Sequence, residues 1–154
     1  MMRSELLLAV TLLHVLATAD ASDFANPLCG LNCNSPDPWI QRVGNATHSS
    51  YYWLYTSMPL MMRTASTLAG LHNAPPVAVW NGSSPTGFWA PELHYWPSPH
   101  DAWFIYVVFN ASRIQVLQSS SGSPAGPFED RGLIANAGNG SGNAIDPNVL
   151  HHPS

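Results

Sequence analysis

The sequence predicts an all-β fold made of repeated units, and a β-propeller is the architecture that this pattern favours. After the first 21 residues there is no long amphipathic helical pattern, only short apolar and aromatic runs separated by Pro, Gly, Asn and Ser. The runs recur in one order with a period near 54 residues. A four-stranded propeller blade needs about 40 to 50 residues, and somewhat more with long loops. A β-sandwich with similar hairpins is the alternative.

Residues 1–21 are predicted to be a secretory signal peptide. Arg3 precedes an apolar run that ends at Ala17. Ala19 and Ala21 have the small side chains that signal peptidase requires at its two recognition positions. The apolar run is shorter than the ~20 residues of a membrane-spanning helix. We therefore expect a secreted, extracellular protein that begins at Ser22 and has no membrane anchor after cleavage.

Four N-x-S/T sequons agree with export, because such triplets accept N-glycans in secreted proteins. They begin at Asn45, Asn81, Asn110 and Asn139. Beyond the signal the chain has four Arg, no Lys and seven Asp or Glu, so it has no basic run for a nucleic acid. Trp, Tyr, Asn and Ser are plentiful, which suits a partner bound by ring stacking and hydroxyl hydrogen bonds. A neutral polysaccharide or oligosaccharide fits this description.

Two cysteines, Cys29 and Cys33, lie four residues apart in a chain predicted to be exported, where disulfides are permitted. They bridge each other, or one of them pairs with a cysteine that this chain lacks. A metal site needs more ligands nearby than this spacing supplies, and His151-His152 has no nearby partners in the sequence. No cofactor and no metal are expected.

The repeat is defined by the order of its parts. Each round has an acidic residue at its head, an aromatic strand, a second strand, a glycine-containing turn and a last strand, and a third round opens at residues 144–147. The acidic residues Asp37, Glu92 and Asp146 are 55 and 54 residues apart. The predicted strands are Tyr51–Ser57, Val77–Trp80, Trp103–Phe109, Ile114–Ser119 and Gly132–Ile134.

Radial repetition would aim these three acidic residues at one central axis. Several carboxylates in one partly dry site resist joint ionisation, so such a cluster usually marks function. Taken singly, each has a simpler explanation, since Asp before Pro commonly starts a turn and the pair occurs twice here.

Five segments together resemble glycoside hydrolase family 43, most closely its arabinofuranosidase and arabinanase branches. They are SPDPWI at 35–40, FWAPELHYW at 88–96, WFIYV at 103–107, SPAGPFEDRG at 123–132 and NAIDPNVL at 143–150. The resemblance covers nearly all of the chain after the signal. It implies a five-bladed β-propeller, of which residues 22–154 hold about two and a half blades as the N-terminal part of a catalytic domain.

The resemblance also implies an inverting hydrolase that acts on O-glycosyl bonds of plant-type polysaccharide. Asp37 matches the general base on blade one, and Asp146 matches a third carboxylate that raises the pKa of the general acid. That acid is a Glu on blade four, expected beyond residue 154, so we expect this chain alone to be inactive. Arabinofuranosides, arabinan and xylan are all open as substrates. A secreted, non-catalytic carbohydrate-binding propeller is the alternative.

Glu92 is acidic and takes the head position of the second round, but the family does not count it among its three catalytic carboxylates. We therefore assign Glu92 to shaping or binding at the pocket. Trp89 is a candidate sugar platform, because an indole face stacks on the C–H face of a furanose ring. For Trp96 and Trp103 we expect core packing between blades instead.

Overall fold

The computed structural model describes residues 35–136 and 144–150, and within these ranges the fold is all-β, as predicted. The signal segment 1–21, Cys29, Cys33, Asn139 and His151-His152 lie outside the described residues. The strands are β1 Trp39–Gly44, β2 Ser49–Leu54, β3 Leu60–Ala65, β4 Val77–Trp80, β5 Phe88–Trp96, β6 Ala102–Phe109, β7 Arg113–Ser119 and β8 Phe128–Asn136, with a 3₁₀ helix at Ala69–His72. No helix in the described part is long and apolar enough to cross a membrane.

The eight strands form two four-stranded antiparallel sheets, with the orders β1-β2-β3-β4 and β5-β6-β7-β8. In each sheet every strand pairs with its sequence neighbour, so each sheet is a simple meander. We call the first sheet blade one and the second blade two. The first and second rounds of the sequence repeat each form one complete sheet, which confirms the repeat as a structural unit.

The strands that sequence patterns did not identify have clear physical features. β1 has only half-buried and exposed residues, so its sequence lacks the apolar alternation of a strand. In β3 buried Leu60 and Met62 alternate with half-buried residues, but Met61 between them is also apolar, so the sequence does not show the alternation. β5 contains Pro91, and a proline within a run argues against a central strand. The structure accommodates Pro91 in a bulge, where two residues of β5, Ala90 and Pro91, lie opposite the single residue Val107 of β6.

The hydrophobic core lies between the two blades. Leu93, Ile105 and Leu117 are register partners across β5, β6 and β7, and all three are fully buried. One face of blade two therefore packs against blade one. The core residues are Leu54, Leu60, Met62 and Val79 from blade one, and Phe88, Leu93, Ile105, Val107, Leu117 and Phe128 from blade two.

The two tryptophans expected in the core differ from each other. Trp103 is partly buried against the core cluster, in agreement with the expectation. Trp96 lies outside this cluster and lines a shallow pocket of about 200 Å³ with His100, Phe104 and Tyr106. Its indole N–H donates to the Tyr106 hydroxyl at 2.9 Å, so Trp96 satisfies its polar edge at the surface of blade two.

Candidate active site

Three residues share a distinctive backbone geometry. Asp37, Ala90 and Asp146 have φ values of 52°, 43° and 52°, and each precedes a proline. A non-glycine residue in the left-handed region is uncommon, and the steric demands of a following proline make it more so. Such strain costs roughly 1–3 kcal/mol per residue and tends to gather at functional sites. The left-handed residue before proline is therefore a structural marker of the repeat.

This marker corrects the sequence alignment of the repeat. The position of Asp37 in blade one is taken by Ala90 in blade two, and the expectation that Glu92 heads the second round is wrong. The strand registers support the equivalence of Asp37 and Ala90. Trp39 and Glu92 each lie two residues after the left-handed residue, and each pairs with the second strand of its blade, at Leu54 and at Tyr106.

A small pocket joins the heads of the two blades. Its volume is about 150 Å³, and the described residues that line it are Asp37, Pro38 and Trp39 from blade one and Ala90, Pro91 and Glu92 from blade two. The structure thus brings Asp37 and Glu92 into one site. The other two predicted site residues, Asp146 and Trp89, are not among the described residues that line this pocket.

Asp37 is solvent-exposed, and its carboxylate is held from the end of β2. The Thr56 hydroxyl donates to Asp37 Oδ2 at 2.9 Å, and the Thr56 backbone N–H donates to the Pro36 carbonyl at 2.9 Å. The same hydroxyl accepts the Ala90 backbone N–H at 3.2 Å. Sequence patterns did not single out Thr56, since a lone threonine after an aromatic strand carries no motif.

Glu92 makes a short polar contact of its own. Its Oε2 lies 2.9 Å from His94 Nε2, and the two side chains are 14% and 11% exposed. The His94 ring lies 5.0 Å from the Trp39 ring and 5.9 Å from the Tyr106 ring, between centroids. Glu92 is therefore a carboxylate fixed in place by an imidazole, which suits an acceptor that binds hydroxyl groups. His94 belongs to the segment 88–96, but the sequence assigns it no role.

Trp39 lines the same pocket and carries an unsatisfied donor. Its indole N–H is buried and has no hydrogen-bond partner among the described residues. Leaving a buried donor unpaired costs free energy, so such groups in native proteins call for an explanation. Because the nitrogen is buried, a hydroxyl group bound in the pocket can accept this N–H only after the Trp39 ring moves to expose it.

Trp89 and Asp146 lie elsewhere. The Trp89 indole N–H donates to the Thr86 carbonyl at 2.6 Å, so the polar edge of the half-buried ring is already bound. Asp146 is exposed, and the segment that carries it is tied to blade two where the Ala144 N–H donates to the Ser112 carbonyl at 3.1 Å. In the described ranges no three His, Cys, Asp or Glu side chains gather closely enough to bind a metal ion.

Burial raises the pKa of Tyr106, the residue that pairs with Glu92 across β5 and β6. The hydrogen bond from Trp96 acts in the opposite direction, because an N–H donor stabilises the phenolate. The aromatic wall beside Glu92 and His94 therefore carries a neutral hydroxyl at ordinary pH.

Comparison with known proteins gives this geometry its context. The family model for glycosyl hydrolases family 43 matches residues 24–154. The chain is 30% identical over 137 residues to an extracellular exo-alpha-(1->5)-L-arabinofuranosidase of Streptomyces avermitilis. This match covers 77% of this chain and 26% of that protein. The chain is 28% identical over 130 residues to alpha-L-arabinofuranosidase 43 of Humicola insolens, and this match covers 75% of this chain and 26% of that protein.

The chain thus spans about a quarter of the length of each of these two relatives. A solved structure of a GH43 glycoside hydrolase, engineered to display both endo-xylanase and exo-arabinofuranosidase activity, is 18% identical with a TM-score of 0.47, over 66% of this chain and 18% of that one. Because the family model matches most of the sequence, the protein belongs to family 43 of the glycosyl hydrolases, and its two four-stranded sheets are blades of a five-bladed β-propeller.

Proposed function

We propose that this protein is part of an inverting glycosidase that releases α-L-arabinofuranosyl groups from plant-type polysaccharide. In this proposal residues 22–154 supply the first blades of the catalytic domain. Asp37 is the general base, Asp146 is the third carboxylate, and the general acid is a glutamate of blade four, beyond residue 154. The names of the two curated relatives support the choice of arabinofuranoside as the substrate class.

The observation that carries the proposal is the placement of Asp37. Asp37 lines the pocket between the blades, is exposed to solvent, and has its carboxylate oriented by one hydrogen bond from Thr56. An inverting glycosidase needs an ionised carboxylate that deprotonates a water molecule on one face of the sugar, with the acid about 6.5–9.5 Å away on the other. One water occupies about 30 Å³ of liquid volume, so the pocket has room for it beside part of a sugar ring.

Glu92, Trp39 and Trp89 would bind the substrate. Glu92, held by His94, accepts hydrogen bonds from sugar hydroxyls, and the Trp39 N–H donates to a sugar oxygen. Trp89 presents an indole face to the ring of a sugar outside the small pocket. None of these groups needs to change its protonation state during the reaction, which separates them from Asp37.

We also propose that the protein is exported and glycosylated. Of its sequon asparagines, Asn45, Asn81 and Asn110 are solvent-exposed, as acceptors of N-glycans must be. The Streptomyces avermitilis relative is named as an extracellular protein. Mass spectrometry of protein secreted by eukaryotic cells, with and without removal of N-glycans, tests this part of the proposal.

The test of the catalytic role is Asp37→Asn in a natural form of the protein that includes the blade-four glutamate. General-base catalysis contributes about 10²- to 10⁴-fold, so arabinose release from an aryl α-L-arabinofuranoside should fall by that factor while sugar binding remains. Glu129→Gln, a change of an exposed carboxylate on β8, is the control and should retain full activity. NMR of the first-formed anomer should show inversion.

Two results would reject the proposal. Full turnover by the Asp37→Asn variant would show that Asp37 is not the base. Binding of arabino-oligosaccharides by the unmodified protein without any hydrolysis would favour the non-catalytic carbohydrate-binding alternative.

A further inference from the structure

A single hydroxyl group connects the heads of the two blades. Thr56 Oγ1 lies 2.9 Å from Asp37 Oδ2 on blade one and 3.2 Å from the backbone nitrogen of Ala90 on blade two. Both partners have the left-handed backbone geometry that marks the head of each round. The threonine therefore contacts the equivalent position of each blade at the edge of the pocket.

The direction of each hydrogen bond follows from the chemistry of its partners. A backbone N–H is only a donor, so the hydroxyl oxygen must accept from Ala90. The one hydroxyl proton is then available for Asp37, whose ionised carboxylate is only an acceptor. The Thr56 hydroxyl thus has one orientation, and it directs Oδ2 of Asp37 toward β2 and leaves Oδ1 for another partner.

The backbone around Thr56 is held equally firmly. Its N–H donates to the Pro36 carbonyl at 2.9 Å, on the residue before Asp37. The next residue, Ser57, exchanges two backbone hydrogen bonds with Phe88 at the start of β5, at 3.2 and 3.0 Å. The Thr56 backbone is consequently held in one position relative to both blades, so its hydroxyl can hold the Asp37 carboxylate in one orientation.

Blade two provides an internal comparison. In blade one, Leu54 pairs with Trp39, and Thr56 lies two residues after Leu54. In blade two, Tyr106 pairs with Glu92, and the residue two positions after Tyr106 is Val108. There the left-handed residue is Ala90 and the position equivalent to Thr56 is a fully buried valine. The carboxylate and the hydroxyl are thus both present in blade one and both absent from blade two, as expected if the hydroxyl serves the carboxylate.

We propose that Thr56 is a positioning residue for Asp37, which holds the carboxylate in one orientation relative to the pocket and couples that orientation to the bulge of blade two. This inference rests on the proposed role of Asp37 as general base. A base must lie within hydrogen-bonding reach of the water it activates, and a displacement of about 1 Å can cost about 10²-fold in rate.

The experiment compares Thr56→Val, which keeps the shape and removes the hydroxyl, with Thr56→Ser, which keeps the hydroxyl. Both are made in the same natural form that carries the blade-four glutamate. Thr56→Val should lower kcat by about 10- to 100-fold with little change in KM, and Thr56→Ser should restore most of the loss. Thr67→Val is the matched control, because that hydroxyl also accepts a backbone N–H, from Gly70 at 3.0 Å, at a site that does not contact Asp37.

A double-mutant cycle separates positioning from stability. In the Asp37→Asn background Thr56→Val should have little further effect on the residual rate, since the group that it positions has already lost its function. An unchanged kcat for Thr56→Val would overturn the inference but not the role of Asp37. Equal losses for Val and Ser, or full additivity in the cycle, would show a purely structural role and overturn it as well. Full activity of Asp37→Asn would reject the proposed function itself.

Discussion

Asp37 and Ala90 occupy the same position in successive blades: each has a left-handed backbone, precedes a proline and lines the pocket between the sheets. The backbone path is thus repeated while the side chain is not. A carboxylate is present at this position in the first and third rounds, at Asp37 and Asp146, and a methyl group in the second. The fold supplies equivalent positions, and the side chain at each one determines which of them can perform acid–base chemistry.

The left-handed geometry of Ala90 predicts an order of stability among its substitutions. Ala90→Gly should be tolerated, because glycine adopts positive φ without a steric cost. Ala90→Val should be less stable than Ala90→Gly by at least about 1 kcal/mol, because a β-branched residue is strongly disfavoured there. Urea unfolding of the two variants measures the difference. Equal stabilities would contradict the left-handed conformation at residue 90.

The sequence predicts the bounds of three strands closely. β4, β6 and β7 are predicted to within one residue at each end, because apolar side chains recur along each of them and turn residues flank them. β5 is not predicted as a strand because Pro91 interrupts it. In the sequence an acidic residue marks the head of each round, and in β5 that residue is Glu92, two positions after Ala90. Because the hairpins of successive rounds differ in length, the spacing of the repeat does not distinguish Glu92 from Ala90 as the residue equivalent to Asp37.

The candidate site was only partly predictable for a similar reason. Asp37 and Glu92 belong to recognisable motifs, and the structure brings them together in one pocket. Thr56 contacts Asp37 without sharing a sequence motif with it, and His94 lies in the same segment 88–96 as Glu92, but the sequence does not show that the two side chains are in contact. Thr56 is 19 residues from Asp37 in the chain, and only the pairing of β1 with β2 brings it to that carboxylate.

The core between the blades predicts a large effect from a single truncation. Leu93 is fully buried among residues of both blades, so Leu93→Ala removes packing and leaves a cavity that costs about 2–5 kcal/mol of unfolding free energy. Leu133→Ala is the control, since that side chain is 41% exposed and its loss should change stability by no more than about 0.5 kcal/mol. Comparable losses for both variants would place the core elsewhere.

The raised pKa of Tyr106 predicts a difference at alkaline pH. The folded protein holds the phenol proton more tightly than the unfolded chain, so this contribution to stability is complete below about pH 10 and is lost as the pH rises through the folded pKa. At neutral pH Tyr106→Phe should be less stable by about 1 kcal/mol, because the Trp96 N–H loses an acceptor. The difference in unfolding free energy between the unmodified protein and Tyr106→Phe should become smaller as the pH rises above the folded pKa of Tyr106.

Absorbance at alkaline pH checks the same group directly. The phenolate signal of Tyr106, taken as the difference between the unmodified protein and Tyr106→Phe, should develop at higher pH in the folded protein than in urea. A folded-state signal that develops at or below the pH found in urea would contradict the effect of burial.

The unpaired indole of Trp39 predicts a role in binding. In the Asp37→Asn background, Trp39→Phe should weaken the binding of arabino-oligosaccharides about two- to tenfold, the range expected for one lost hydrogen bond. Trp103→Phe is the control, because Trp103 packs against the core and does not line the pocket. Calorimetric titration gives both affinities. Unchanged affinity for Trp39→Phe would show that the indole N–H does not contact the sugar.

The contrast between Glu92 and Asp37 gives the sharpest test of the corrected repeat. If Glu92 is a binding carboxylate fixed by His94 at 2.9 Å, Glu92→Gln keeps an acceptor oxygen and should raise KM while it lowers kcat by less than about tenfold. Asp37→Asn, at the position that Asp146 and Ala90 share, should lower kcat by at least about 10²-fold. Steady-state kinetics on one aryl arabinofuranoside compares them. A larger loss of kcat for Glu92→Gln than for Asp37→Asn would exchange the two roles, because it would place the proton transfer on blade two.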